Sequence, residues 1–195
     1  MSCLGDLKDR FINSSGIRLR LYTPDALAVP REAGRLALAM GSTSINPEHL
    51  LLALAEARHT PASRLLADSG CNASLIRDTL ERRDAEALSE IGISLDDVVR
   101  EIESRHGRAA WEHASSGLPS DFTCLRETDN ALRAADRAAM RLRNWTRTTE
   151  HLLLALIHQR GRAHALLLEL EVDVASLEQR VLGILTKSEA PSTGG

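Results

Sequence analysis

The chain has 195 residues, 43% of them hydrophobic but only 3% aromatic, and a formal net charge of −3. That is enough apolar material for one compact domain, or one domain made of two halves, with Leu and Ala rather than aromatic and β-branched residues filling the core. The charge gives no case for nucleic-acid binding by field alone, no apolar run reaches the roughly 18 residues of a membrane span, and Cys3, Cys71 and Cys124 form no disulfide framework.

In chain order, residues 1–21 form a lead-in with no apolar leader segment, which suggests a cytoplasmic protein with reduced thiols. Its end, Gly16 to Tyr22, alternates polar and apolar and suits either a short strand or an extended segment lying on the body. Thr23-Pro24-Asp25 is a helix start: a capping Thr, a Pro at the first helical position and an acid in the first turn. Pro30 falls inside this helix and predicts a kink or a restart before the end near Gly41. Asn46-Pro47-Glu48 and Thr60-Pro61 repeat the start signal. Asn72 caps a fourth helix expected to reach about Leu80. These four helices make a unit over residues 22–81.

Residues 82–121 read as an inserted helical linker. Within it, Ser94 caps an amphipathic helix with Leu95, Val98, Val99 and Ile102 on one face. Residues 105–121 read as loop. A second unit starts near Phe122-Thr123 and runs to 186, followed by a tail, 187–195, rich in Pro, Ser, Thr and Gly.

The two units are copies. Glu48-His49-Leu50-Leu51-Leu52-Ala53-Leu54 recurs 102 positions later as Glu150-His151-Leu152-Leu153-Leu154-Ala155-Leu156. With one residue deleted, Leu66 then aligns with Leu167 and Asn72 with Asp173. Residues 31–40 and 131–142 are both Ala/Arg/Leu-rich helix formers. Internal repetition of this kind decides the architecture before any local reading does.

This order of an Ala/Arg-rich helix, Glu-His-Leu-Leu-Leu-Ala-Leu, a Leu-Leu turn closing at Asn72 or Asp173, and a last helix resembles the Clp repeat N-terminal domain. That module stands at the front of ClpA- and ClpC-type AAA+ unfoldases. The resemblance covers residues 22–186 and implies an all-α fold of two pseudo-symmetric four-helix units with an inserted helical linker. The segment Gly92 to Val98 is similar to stand-alone actinobacterial versions. The chain carries no G-x-x-x-x-G-K-[ST] phosphate loop and has no room for an ATPase module. The resemblance therefore implies a non-catalytic recognition module without cofactors. Its expected partners are a Clp unfoldase, its substrates or its adaptors, and neither a membrane nor a nucleic acid.

The resemblance also implies a ligand, phosphoarginine on tagged substrates. Its phosphate would sit at a helix N-terminus beside a Thr, where free N–H groups and the dipole favour an anion. Its guanidinium would meet the Glu of the repeated motif in a bidentate fork. Carried onto this chain, Thr23 with Glu48 makes one site and Thr123 with Glu150 the other. The spacings are 25 and 27 residues, and the residue 25 positions before Glu150 is Leu125. Tyr22 and Phe122 stand at the unit starts, where such domains contact cyclic-peptide antibiotics. Sequestration of such compounds, or competition with an unfoldase as a decoy, is a variant of the same reading.

The residues also carry plainer readings. A Glu in a first helical turn is favourable with no ligand, and Thr23 is an ordinary N-cap worth about 1 kcal/mol. His49 and His151 are expected to pack or cap locally. Adjacent Glu and His do not converge on one site of a helix, so no metal site is expected. No nucleophile–base order suggests an enzyme. Arg133, Arg137, Arg141, Arg143 and Arg147 surround Trp145, which could suit an acidic partner or a nucleic acid. Asp129 and Asp136 interrupt the run, so a solvated helix face is the expectation. The alternative to the Clp reading is a stand-alone helical interaction scaffold, such as a homodimer.

Overall fold

The computed structural model describes residues 21–90 and 123–187. The helix predicted at Ser94, Phe122, most of the lead-in and the tail after Lys187 lie outside these residues. The first unit folds as α1 (Pro24–Ala39), α2 (Pro47–Glu56), α3 (Pro61–Asp68) and α4 (Ala73–Glu90). The second folds as α5 (Arg126–Arg141), α6 (Thr149–His158), α7 (Arg162–Glu169) and α8 (Val174–Lys187). The fold is all-α, as the repeat predicts.

The start signals act as read. Thr23 Oγ1 accepts from the Ala26 N–H at 3.3 Å, Thr60 Oγ1 from Ser63 N–H at 3.2 Å, and Asn72 Oδ1 from Leu75 N–H at 2.9 Å. Two expectations change. No restart occurs at Pro30, because α1 runs unbroken through it. Ala26, Val29, Ala33, Leu36 and Ala37 bury one stripe of α1, chiefly against α2, and that burial outweighs the lost backbone bond. The fourth helix passes Leu80 and reaches Glu90. Arg82 bonds Glu86 one turn on at 3.2 Å and reaches Glu169 at 2.9 Å, so the extra turns are held by charge rather than by the core.

α2 and α6 lie at the centre. Every residue from Pro47 to Leu54 and from Thr149 to Ile157 is buried, as expected of a helix covered on all sides. The two touch each other. α3 packs on α6 and on α8, while α7 packs on α2. Each third helix thus crosses onto the other repeat, and one continuous apolar cluster serves both.

Short parallel pairings complete the exchange. β1 (Ser44–Ile45) pairs with β2 (Thr123–Cys124), and Tyr22 bridges Arg147 in the same sense. The Thr23 N–H donates to the Arg147 carbonyl at 2.9 Å, and the Leu125 N–H to the Ile45 carbonyl at 3.1 Å. Each repeat's first helix therefore starts on the segment leading into the other repeat's central helix.

The left-handed backbone positions also come in pairs. Gly41 (φ 71°) matches Arg143 (φ 57°), His59 (φ 73°) matches Arg160 (φ 48°), and Gly70 (φ 80°) matches Glu171 (φ 55°). The first unit places Gly at two of these helix ends and the second places side chains there, which carries a steric cost. Exposed Glu171 is the clean case. Glu171→Gly is expected to stabilise the fold by about 1 kcal/mol, read as a higher urea midpoint with an unchanged slope. A lower midpoint would show that the Glu171 side chain contributes more than its backbone costs.

Candidate functional site

The site begins at the starts of α2 and α6, where the two repeats are closest in sequence. In each, the His at the third helical position turns back on the cap. The Asn46 N–H donates to His49 Nδ1 at 3.1 Å, and the Thr148 N–H to His151 Nδ1 at 3.1 Å. This is a capping box with imidazole in the usual place of Glu or Gln. Nδ1 must accept, so both rings are neutral with the proton on Nε2. Burial lowers both pKa values to about 4, helped by the Arg162 charge near His49 and the Arg147 charge near His151.

Glu48 and Glu150 are the second residues of their helices and are only 7% and 5% exposed. Glu48 is neutralised within the chain. Arg83 Nη1 on α4 donates to its Oε1 at 2.7 Å, and Arg162 Nη1 at the start of α7 lies 3.9 Å from Oε2. Burial still raises its pKa, against the pull of both guanidinium groups. Arg83 also holds Glu169, which Arg82 grips from the other side, and these bonds lower the Glu169 pKa.

Glu150 has no such partner. Its Oε2 accepts from Thr149 Oγ1 at 2.8 Å, and among the described residues no cation stands within ion-pair distance. It lines a groove of about 400 Å³ with Arg143, Asn144, Trp145, Thr148 and Ile184. Trp145 is 86% exposed at the rim. A second groove of about 490 Å³, lined by Pro61, Arg64, Asp68, Arg180 and Lys187, shares Ile184 as its wall.

Comparison with known proteins agrees with this fold. The model of the Clp repeat (R) N-terminal domain matches residues 19–69 and 125–195. The chain belongs to this family. Its fold is similar to the Hsp104 N-terminal domain from Candida albicans, with a TM-score of 0.58 at 13% identity over 84% of this chain and 90% of that one. It is also similar to the N-terminal domain of the chaperone ClpD from Arabidopsis thaliana, with a TM-score of 0.54 at 20% identity over 87% and 97%. A structure described under investigations of a malarial protein secretion system gives a TM-score of 0.55 at 18% identity over 88% and 99%. No curated protein sequence matches. Membership in the Clp repeat family supports the coarse reading of a substrate- or adaptor-binding module of the Clp type.

Within the Clp repeat frame the expected site residues are distributed differently from their sequence pairing. Thr23 caps α1, and its N–H bonds the carbonyl of Arg147, three residues before Glu150. Thr123 lies in β2 against Ser44, and Leu125 occupies the cap position of α5 with no side-chain bond to offer. Tyr22 packs against the core with its hydroxyl buried and unpartnered, and burial raises its pKa. Arg147, expected on a solvated face, is 6% exposed and bonds Asp136 at 2.7 Å. Arg83 was not legible as a site residue. The one-residue deletion that aligns Leu66 with Leu167 does align Arg83 with Ile184, but only the fold shows that this position faces the central Glu.

Among the described residues no three His, Cys, Asp or Glu side chains cluster as metal ligands, and no helix is long and apolar enough to cross a membrane.

The capping imidazoles predict an acid-sensitive fold. Their folded pKa of about 4 lies below the unfolded value of about 6.5. The stability they give is complete above about pH 6.5 and is lost as pH falls towards 4, by roughly 3 kcal/mol for each ring. Replacing both by Gln, which keeps an acceptor for the cap, is expected to flatten the urea midpoint between pH 6.5 and 4.5. An unchanged acid limb would assign it to the carboxylates.

Proposed function

We propose that the chain is a recognition module of the Clp proteolytic system, and that its working site is the groove at Glu150, which takes a phosphoarginine side chain of a tagged substrate. The observation that carries this is a buried carboxylate that lines an open groove and has no cation within ion-pair distance among the described residues. A carboxylate bonded only by a neighbouring hydroxyl keeps acceptor positions for the paired N–H groups of a guanidinium from outside. The Trp145 face offers a stacking surface for that planar cation. Exposed Arg143, on the same wall, offers charge to the phosphate. In excess, such a module would also compete with an unfoldase's own N-terminal domain for tagged substrates.

The test uses Trp145 as reporter in a Trp111→Phe background. A phosphoarginine peptide is expected to change its emission and to bind Glu150→Gln at least tenfold more weakly, about 1.4 kcal/mol or more. The same peptide with unmodified arginine should bind more weakly than the tagged one. Equal affinity for wild type and Glu150→Gln would sink the assignment. Equal affinity for tagged and untagged peptide would remove the phosphate from it.

A further inference from the structure

The two repeats differ at one point that bears on binding. α3 and α7 have equal length and start 101 residues apart, and α4 and α8 start at the same offset. That offset places Arg83 opposite Ile184 and Arg162 opposite Pro61. The positions equivalent to the two guanidinium groups that surround Glu48 thus carry an alkyl side chain, which lines the Glu150 groove, and an imino acid. Ile184 forms the wall shared by both grooves on the Glu150 side. On the Glu48 side, Arg83 lies across the carboxylate with a second anchor on Glu169.

We infer that Arg83 is a built-in occupant of the first site, a guanidinium supplied by the chain itself, and that the module therefore binds one guanidinium-bearing ligand at Glu150 rather than one at each repeat. This deepens the function proposed above and rests on it for the ligand. The molecule supplies its own comparison. At Glu48 the carboxylate, helix start and burial are those of Glu150, and the group in place is an arginine side chain in charge-assisted contact. An external ligand at Glu48 would have to displace a guanidinium held by two carboxylates. The Glu169 contact holds the Arg83 guanidinium in line with Glu48. Arg83 is a specificity-determining residue here, and Ile184 is the residue whose apolar side chain leaves the other site open.

The experiment is calorimetric titration with free phosphoarginine of wild type, Glu48→Ala, Glu150→Ala, Arg83→Ile and Arg83→Ile/Arg162→Ala. Glu169 keeps Arg82 in the last two, and retained binding at Glu150 shows that they are folded. Wild type is expected to bind one equivalent, lost in Glu150→Ala and kept in Glu48→Ala. The plug-removed variants are expected to bind two, the added one lost on further Glu48→Ala. Wild type binding two equivalents, or plug-removed variants still binding one, would overturn the plug and leave the Glu150 reading standing. No binding by wild type with one equivalent gained on plug removal would support the plug and overturn the Glu150 reading. No binding by any variant would overturn both.

Discussion

Burial of α2 from Pro47 to Leu54 and of α6 from Thr149 to Ile157 is the constraint on which the rest depends. A helix surrounded on every side cannot present a polar face, so its sequence is set by packing all round. This explains why the longest unbroken identity between repeats lies at the start of these helices, while α3 and α7 share only their buried positions, Ala62, Leu65 and Leu66 with Ala163, Leu166 and Leu167. It also explains the two polar residues inside that identity. The Glu and His stand in the first turn, where free N–H groups need acceptors and the dipole favours a negative charge. There a buried carboxylate and a buried neutral imidazole are tolerable.

Exchange between repeats turns two copies into one domain. Each first helix starts on the strand-like lead-in to the other repeat's central helix, and each third helix packs on the other's centre. Neither repeat closes its own core, and the apolar cluster is continuous. The starts of α1 and α5 are therefore bonded to the neighbouring repeat three residues before its Glu, which sequence distance along one repeat does not reveal.

Pseudo-symmetry of the backbone coexists with asymmetry of charge. Turn geometry is kept even where the second repeat must hold Arg143, Arg160 and Glu171 at left-handed positions. Electrostatics is not kept. Glu48 stands between two guanidinium groups and Glu150 beside a hydroxyl and an open groove. The first arrangement is closed by the chain's own guanidinium groups, and the second leaves its carboxylate on an open groove.

The sequence by itself determined the repeat, the all-α class and the helix starts at Thr23, Asn46, Thr60 and Asn72, and it kept the two histidines local, packing or capping. These depend on residues one turn apart, and local chemistry is written locally. It also marked Glu48 and Glu150 as the candidate acids. Only the tertiary structure decided which segment each helix start meets, that α1 runs through Pro30, that Arg147 is buried on Asp136, and that Arg83 and Ile184 occupy equivalent places before the two acids. Those outcomes are set by contacts between residues from 11 to more than 100 positions apart, or by burial of a whole helix face, and neither can be read from one turn of sequence.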